Sequence, residues 1–232
     1  MAYQIKSTGG GNGKLDLLAH GLPGTEKTLS IGRMAAAGFN PFIIACDPGG
    51  VVTLKQFSLP YIEISKPGDC LEIIKDIYAG KLDLRQYGML CIDGATNLSY
   101  MCLKATGENA NDRRLDYTNY WIGFRRIIDE FRRMPFHFYI NALSGELKAD
   151  QNKVGAVIEG SKYSVAFTGM FNTIVAMRRI QDGSKDQNGN LTAPVYIQTA
   201  DDGIFHCKDR TNSCNMYERS MAEVAMKILN NN

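Results

Sequence analysis

A glycine-rich segment near the start of the chain does most to limit its possible folds. It lies between an apolar segment, residues 14–20, and a helix-type pattern, residues 27–37, so it joins a predicted strand to a predicted helix. Its spacing nearly matches G-x-x-x-x-G-K-[ST], in which backbone N–H groups wrap phosphate oxygens at a helix N-terminus. The sequence therefore predicts a phosphate loop. Its candidate ligand-binding residues are Gly21, Leu22, Pro23, Gly24, Thr25, Glu26, Lys27 and Thr28.

Three residues of this loop bear most directly on its chemistry. Lys27 is expected to reach the β- and γ-phosphates of a nucleotide, and Thr28 to ligate Mg²⁺. Glu26 departs from the pattern, because the backbone at this position passes close to the phosphates and favours glycine. A like-charge contact there costs about 4 kcal/mol before screening, at ~4 Å and an effective dielectric of ~20. Two alternatives follow: the site is weakened or inactive, or the Glu26 side chain points away.

Polar residues end three of the later predicted strands. Asp93 follows the apolar run 89–92, which is the Walker B pattern of an acid that holds Mg²⁺ through water, so Thr28 and Asp93 are the candidate metal residues. Asp47 ends the run 41–46 and is a candidate for orienting the attacking water; its alternative role is to begin a turn. Asn141 ends the run 136–140, where its amide either senses the γ-phosphate or only closes the strand. In an open parallel sheet these strand ends line the ligand crevice.

The order of the predicted elements indicates an α/β fold. Apolar strand-type runs alternate with helical patterns up to about residue 141, which predicts a mostly parallel sheet covered by helices on both faces. One domain is expected over residues 14–232, after a flexible glycine-rich lead-in over residues 1–13. The cluster of glycines and the few apolar positions between residues 144 and 168 predict a long loop there.

The last third of the chain has an antiparallel character. Residues 195–199 and 204–208 are predicted to form a hairpin around Asp201-Asp202-Gly203. Ser220, with Glu223 three residues later, predicts the cap of a final amphipathic helix, and Asp69 with Glu72 predicts a similar start for an earlier helix.

Composition narrows the function classes. The formal net charge of +2 does not indicate a strongly basic nucleic-acid binder, although a local basic channel remains compatible with it. No apolar run approaches the ~20 residues that span a bilayer, so no membrane partner is expected. The six cysteines include no C-x-x-C pair, which argues against disulfides or a structural zinc site and favours a reducing, cytoplasmic location.

Together, Gly21–Thr28, Asp47-Pro48-Gly49-Gly50, Met89–Leu98, Phe138–Leu143 and Cys207-Lys208-Asp209-Arg210 resemble the small phage RecA-like P-loop ATPases, a group of phage nucleotide-binding and single-strand annealing proteins. The resemblance implies a RecA-like core, ATP and Mg²⁺ as ligands, a homo-oligomeric ring or filament, and single-stranded DNA as a partner in annealing or recombination. Two departures from the group bear on hydrolysis: Glu26 replaces a glycine, and no glutamate follows Asp47 in Asp-Pro-Gly-Gly.

The same resemblance implies where DNA would bind. The segments after the third and fourth core strands, Ser99–Tyr117 and Ser144–Thr168, are the candidate DNA-facing loops. Both segments also contain acids, so ordinary solvated loops are the alternative. The cations would contact phosphates and a tyrosine would stack on bases. The candidates are Arg113, Arg114, Lys148, Lys153, Lys162 and Tyr163.

Lys208 and Arg210 are, by resemblance, cations that complete the active site of a neighbouring subunit; the alternative is a surface cluster with Asp209. The candidate catalytic set is thus Lys27, Asp47, Asp93, Asn141, Lys208 and Arg210. Two other functions remain open. One is a hexameric helicase- or packaging-type motor, and the other is a non-hydrolysing nucleotide-binding assembly subunit.

Overall fold

A computed structural model describes residues 13–47, 49–107, 113–148, 150 and 153–231. The lead-in expected over residues 1–13 lies outside these ranges except for Gly13. The α-helices are α1 Lys27–Ala36, α2 Pro67–Tyr78, α3 Ala95–Gly107, α4 Arg113–Arg133, α5 Ser161–Gly169 and α6 Met221–Asn230, with a 3₁₀ helix at Gly50–Phe57. The strands are β1 Asp16–Gly21, β2 Pro41–Ala45, β3 Tyr61–Glu63, β4 Met89–Asp93, β5 His137–Leu147, β6 Lys153–Ala156, β7 Thr173–Arg179, β8 Val195–Gln198, β9 Lys208–Asp209 and β10 Tyr217–Glu218.

The strands form one mixed, mostly parallel open sheet in the order β10-β8-β7-β1-β5-β4-β2-β3. The strands from β7 to β3 in that order pair in parallel, while β6, β8, β9 and β10 pair antiparallel. In the parallel register, Asp93 aligns with both Ala45 and Asn141, and Gly21 aligns with Leu143. The predicted α/β class is confirmed. Asp93 ends β4 as predicted, whereas Asn141, predicted to end its strand, lies level with Asp93 inside the longer β5.

Helices cover both faces of the sheet, as the alternation of strands and helices predicts. Successive strand residues point to opposite faces, so each strand contributes to two cores. One core packs α1 and α6 against β1 and β4 through Ile31, Met34, Met221 and Ile228. The other packs α2 to α5 against the opposite face, with Phe124, Phe131 and Phe167 fully or almost fully buried.

The long loop predicted over residues 144–168 is wrong. β5 continues to Leu147, β6 returns antiparallel to it, and α5 follows. The glycines that favour a loop serve here to bring the two strands close together. A Cβ on Gly145 would lie 2.8 Å from Val157, and one on Gly155 would lie 2.4 Å from Leu147.

The predicted hairpin of residues 195–199 and 204–208 is also wrong. β8 pairs with β7 and β10, and β9 pairs with β7. Asp202 does build a turn, because it accepts from the backbone N–H groups of Ile204 and Phe205. The chain then bonds to β6 instead of β8: Val154 N donates to Ile204 O at 2.7 Å, and His206 N donates to Val154 O at 2.8 Å. The antiparallel partners of β8 are therefore β7 and β10, and not the segment 204–208.

The two predicted helix caps have different outcomes. Ser220 caps α6, since its hydroxyl accepts from Glu223 N at 3.2 Å. α2 begins earlier than predicted, at Pro67, so Asp69 lies in its first turn and accepts from the backbone N–H groups of Ser65 and Lys66. Within the described residues, no helix has the length and apolar character needed to cross a membrane.

Candidate functional site

The segment Gly21–Thr28 folds as a tight turn between β1 and α1. A Cβ on Gly21 would lie 2.2 Å from Thr25 Oγ1 and 3.0 Å from Met177 O, so the turn requires glycine there. Thr25 closes the turn by donating to Leu22 O from both its hydroxyl, at 2.8 Å, and its backbone N–H, at 3.3 Å. Gly24 has a φ of +79°. The turn leaves the first N–H groups of α1 without helical acceptors, as an anion site requires.

Glu26 is accommodated by its backbone conformation and by two arginines. Its φ of 65° and ψ of 26° are left-handed, a conformation that glycine adopts without the cost of about 1–2 kcal/mol for a side chain. Its carboxylate pairs with Arg33 at 2.7 Å and with Arg179 at 3.7 Å. Arg179 also donates to Gly24 O at 2.8 Å, which ties the end of β7 to the loop. The sequence left open whether Glu26 weakens the site or points away from the phosphates. In the structure its carboxylate is directed toward Arg33 and Arg179, which offset its charge.

Lys27 folds back over the loop that precedes it. Its Nζ donates to Gly21 O at 2.8 Å and to Leu22 O at 2.9 Å. Burial lowers the pKa of this amine, while the negative charges of Asp93 and Asp47 act in the opposite direction. Both acceptors are neutral carbonyls, and a charged phosphate oxygen makes a stronger acceptor for the same amine.

Asp93 and Thr28 meet at the base of the cleft. The Thr28 hydroxyl lies 2.9 Å and 3.0 Å from the two Asp93 carboxylate oxygens. Asn141 Nδ2 donates to Asp93 Oδ1 at 2.5 Å, and Gly94 N donates to Asn141 Oδ1 at 2.9 Å. Burial raises the pKa of Asp93, against the hydrogen bonds from Asn141 and Thr28 that stabilise its charged form. The structure thus brings together three of the residues that the sequence singled out at strand ends and in the loop.

Asp47 lies beside this group but is exposed. Its negative charge is close enough to affect both Asp93 and Lys27. Gly50 also approaches closely, since a Cβ there would lie 3.1 Å from Asp93 Oδ2. Asp47 therefore stands at the rim of the site that Thr28 and Asp93 occupy. Pro48, the residue after Asp47, lies outside the described residues.

A cleft of about 700 Å³ opens over these residues. It is large enough for a nucleotide-sized ligand, because small-molecule sites occupy roughly 300–1,000 Å³. The cleft extends from Lys27 and Thr28 past Asp93 and Asn141 to Tyr100, Leu143 and Glu159. Four carboxylates line it: Glu26, Asp47, Asp93 and Glu159.

The donors in the cleft fit Mg²⁺ in one particular way. Within the described residues, no group of three or more His, Cys, Asp or Glu side chains is arranged to hold a metal by itself. Mg²⁺ is usually bound through one or two carboxylates together with substrate phosphates, keeping several waters. Asp93 and the Thr28 hydroxyl, facing an open cleft beside a phosphate-loop turn, match that donor set.

Lys208 and Arg210 lie at the other end of the sheet. Lys208 pairs with Ile174, which is level with Leu18 near the start of β1 rather than with Gly21 at its end. Arg210 donates to Asn172 Oδ1 at 3.1 Å. Within one chain, these cations are therefore not brought to Lys27.

The candidate DNA residues fall on helices or strands, except Lys148, which lies in a turn directly after β5. Residues 99–107 belong to α3 and residues 113–117 to α4, so the first segment is largely helical, not a loop as expected. Lys148 and Lys162 are exposed, and so is Arg114; the side chain of Arg113 lies outside the described residues. Lys153 pairs with Asp201 at 3.0 Å, and Tyr163 stacks on Trp121 with ring centroids 5.3 Å apart. Binding DNA through Lys153 or Tyr163 would require these contacts to be exchanged.

Three residues of the site were not predicted from the sequence to belong to it. Arg33 lies two helical turns beyond Glu26 on α1, and this spacing is the one signal that a reader of the sequence could have used. Arg179 and Glu159 reach the loop and the cleft only through the pairing of β7 with β1 and of β6 with β5. No protein-family description matches the chain, and no curated protein matches its sequence.

Proposed function

We propose that this chain is a RecA-like P-loop protein that binds magnesium-ATP in the cleft and hydrolyses it. The observation that carries the proposal is the contact of Thr28 with both Asp93 oxygens, directly behind a turn that leaves helix N–H groups open. The sheet order supports the RecA-like assignment, because β5 lies between the strand before the loop and the strand that ends in Asp93.

Each residue of the cleft has a role under this proposal. The N–H groups at the start of α1 bind phosphate oxygens, and Lys27 exchanges the Gly21 and Leu22 carbonyls for the β- and γ-phosphates. Thr28 and Asp93 hold the metal, which when bound neutralises charge on those phosphates. Asn141 fixes the Asp93 carboxylate, and Asp47, at the rim, orients water.

The test measures magnesium-ATP affinity by calorimetry. Lys27→Ala should weaken binding at least tenfold, equivalent to about 1.4 kcal/mol, because the charged contact to the phosphates is lost. Lys55→Ala, in the exposed part of the 3₁₀ helix, is the matched control and should leave affinity unchanged. Equal affinity in all three proteins, or no binding by the unaltered chain, would contradict the proposal.

Single-stranded DNA and a homo-oligomer complete the proposal, in which ATP binding serves annealing or strand exchange for a phage. Exposed Lys148, Lys162 and Arg114 support DNA binding. Lys208 and Arg210 lie away from their own cleft, so under this proposal they act at the phosphate of a neighbouring copy. ATP hydrolysis measured with and without single-stranded DNA tests the partner; acceleration is expected.

A non-hydrolysing assembly subunit is the second candidate. It is favoured by Glu26 and by the absence of a glutamate after Asp47. Tight ATP binding without turnover, in the presence or absence of DNA, would support it over the first proposal. Directional unwinding of duplex DNA would instead support a helicase-type motor.

A further inference from the structure

The proposed hydrolysis needs a carboxylate that can accept a proton from water, and the cleft offers four acids. Two of them are already engaged. Asp93 is buried and holds Thr28 and Asn141, and Glu26 is paired with Arg33 and Arg179. Asp47 and Glu159 remain as the acids to be compared.

Asp47 stands on the metal side of the cleft. A Cβ on Gly94, the residue after Asp93, would lie 3.3 Å from the Cβ of Asp47. Its charge acts on Asp93 and on Lys27, the groups that the proposed function assigns to metal and phosphate. An acid in this place is suited to orienting water beside the residues that would hold the metal, Thr28 and Asp93.

Glu159 also lines the cleft, but it lies on a different segment from Asp47, which follows β2. Glu159 follows β6 and precedes α5, and Asn141 and Leu143 of β5 line the cleft with it. Within the described residues, no ion pair engages its carboxylate. The acid is therefore available to a molecule bound in the cleft.

The backbone that carries Glu159 is held firmly. Ser99, fully buried in α3, accepts from Glu159 N at 3.1 Å. On the preceding residue, Ser164 of α5 both accepts from Ile158 N and donates to Ile158 O. Gly160, directly after Glu159, has a φ of +81°, and a Cβ there would lie 2.9 Å from the Tyr163 ring.

Thr96 fixes the same segment to the wall of the cleft. Its hydroxyl donates to Val157 O at 2.7 Å and accepts from Leu143 N at 3.0 Å. The start of α3, the middle of β5 and the segment before α5 are thus joined at the Thr96 side chain. A firmly positioned backbone is what a catalytic side chain needs to keep its geometry.

We infer that Glu159 is the general base of the proposed hydrolysis, replacing the glutamate that is missing after Asp47; this inference rests on the proposed function. The water oxygen bonds to the γ-phosphorus as the bond from that phosphorus to the β–γ bridging oxygen breaks, leaving ADP. The water proton passes to the Glu159 carboxylate, which then returns it to the released phosphate. Asp47 keeps its role on the metal side.

The experiment compares single-turnover hydrolysis and ATP affinity in four proteins: the unaltered chain, Glu159→Gln, Asp47→Asn and Glu146→Gln. Glu146 is an exposed acid on β5 that does not line the cleft, so its variant is the matched control. Glu159→Gln should lower the rate at least about a hundredfold while leaving ATP affinity within twofold, since general bases contribute roughly 10²–10⁴-fold. Glu159→Asp should recover part of the rate, because it restores a carboxylate one methylene shorter.

The outcomes separate this inference from the proposed function. Hydrolysis by Glu159→Gln within threefold of the unaltered chain would overturn the role of Glu159, and so would ATP binding without any hydrolysis by the unaltered chain. An equal loss of affinity and rate in Glu159→Gln would also overturn it, since a base acts on the chemical step. Absence of ATP binding by the unaltered chain would overturn the proposed function and this inference with it.

Discussion

Strand β1 has a charged cluster at each end, and the two clusters are bonded differently. At its carboxyl end, Lys27 contacts backbone carbonyls of a turn, and Asp93 contacts a hydroxyl and an amide. At its amino end, a cavity of about 470 Å³ is lined by Lys14, Asp16, Arg132 and Arg210. Both regions combine cations with an acid at strand ends, so composition alone does not tell them apart.

The amino-end cations are largely used by the fold itself. Lys14 donates to the carbonyls of Arg132 and Met134 at the end of α4, which are acceptors that the helix leaves unsatisfied. Arg132 pairs with Asp16 at 2.5 Å and donates to Met170 O at the end of α5. The carboxyl-end groups contact partners that a ligand can replace. The comparison teaches that the partners of a charge, more than its presence, distinguish a binding site from a structural cluster.

The largest expected effect is on the rate of ATP hydrolysis. It tests whether the cations near the amino end of β1 act in the cleft of another subunit. Lys208→Ala/Arg210→Ala should lose about a factor of 10³ in ATP hydrolysis while still binding ATP, because a cation supplied in trans stabilises charge in the transition state. Mixing this protein with Lys27→Ala, which keeps its cations, should restore activity at mixed interfaces. Steady-state phosphate release measures both.

Normal hydrolysis by the double variant alone would assign Lys208 and Arg210 to the surface. Burial, reinforced by the positive charges of Arg210 and Arg132, lowers the pKa of Lys208. Removing Lys208 should therefore not destabilise the fold, and the urea midpoint of the double variant serves as the control.

The next largest effect is on the free energy of unfolding, which should depend on the cluster at the amino end of β1 more than ATP affinity does. Arg132→Ala should lower the free energy of unfolding by about 3 kcal/mol, because it leaves the partly buried Asp16 carboxylate and the Met170 carbonyl without their donor. Magnesium-ATP affinity should stay within twofold. Urea unfolding and calorimetry make the two measurements.

Arg126→Ala is the matched control for that variant, since Arg126 is exposed on the same helix and should change stability by less than about 0.5 kcal/mol. A large loss of ATP affinity in Arg132→Ala, with stability intact, would reverse the assignment of the two ends.

A smaller effect is expected at Glu26. If its carboxylate faced the phosphates, Glu26→Gly would tighten ATP binding at least tenfold. Because the carboxylate faces Arg33 and Arg179, we expect Glu26→Gly to change ATP affinity by less than about threefold. The free energy of unfolding should also change little, because the variant relieves the left-handed strain but loses two weak, exposed ion pairs. Glu26→Ala separates the two causes, since it removes the charge but keeps the strain. Tenfold tightening by both variants would show that repulsion dominates.

The smallest effect concerns the proposed DNA contacts. Lys148→Ala and Lys162→Ala should each reduce the slope of log affinity for single-stranded DNA against log salt by about 0.7, because each removes one phosphate contact. Lys153→Ala should reduce it less, since Lys153 is paired with Asp201. Fluorescence anisotropy over a salt series measures the slopes, and three unchanged slopes would assign this surface another role.

Local signals predicted the parts of the molecule that depend on neighbours in sequence. Apolar runs ending in Asp93 and Asn141 located two central strands, and the spacing of Gly21, Lys27 and Thr28 located the turn before α1. The role of Asp47 and that of Lys208 with Arg210 stay predictions.

Features that depend on distant pairing were missed. Gly145 and Gly155 indicate a loop until β5 and β6 are seen to approach each other there. The pairing of Glu26 with Arg179 joins elements more than 150 residues apart, and the position of Glu159 depends on that same β5–β6 pair. No local pattern encodes such contacts.

The central place of β1 in the sheet has a consequence for how the protein is made. Leu18 pairs with Ile140 and Ile174, about 120 and 155 residues later in the chain. At usual rates of synthesis of about 5–20 residues per second, β1 therefore waits roughly 6 s or longer for its first partner. Gly21 closes against Met177, and Arg179 holds Gly24, so the turn before α1 cannot take its final shape until β7 has been synthesised. The turn is thus synthesised well before it can be completed, and a nascent chain halted near residue 150 should bind no nucleotide.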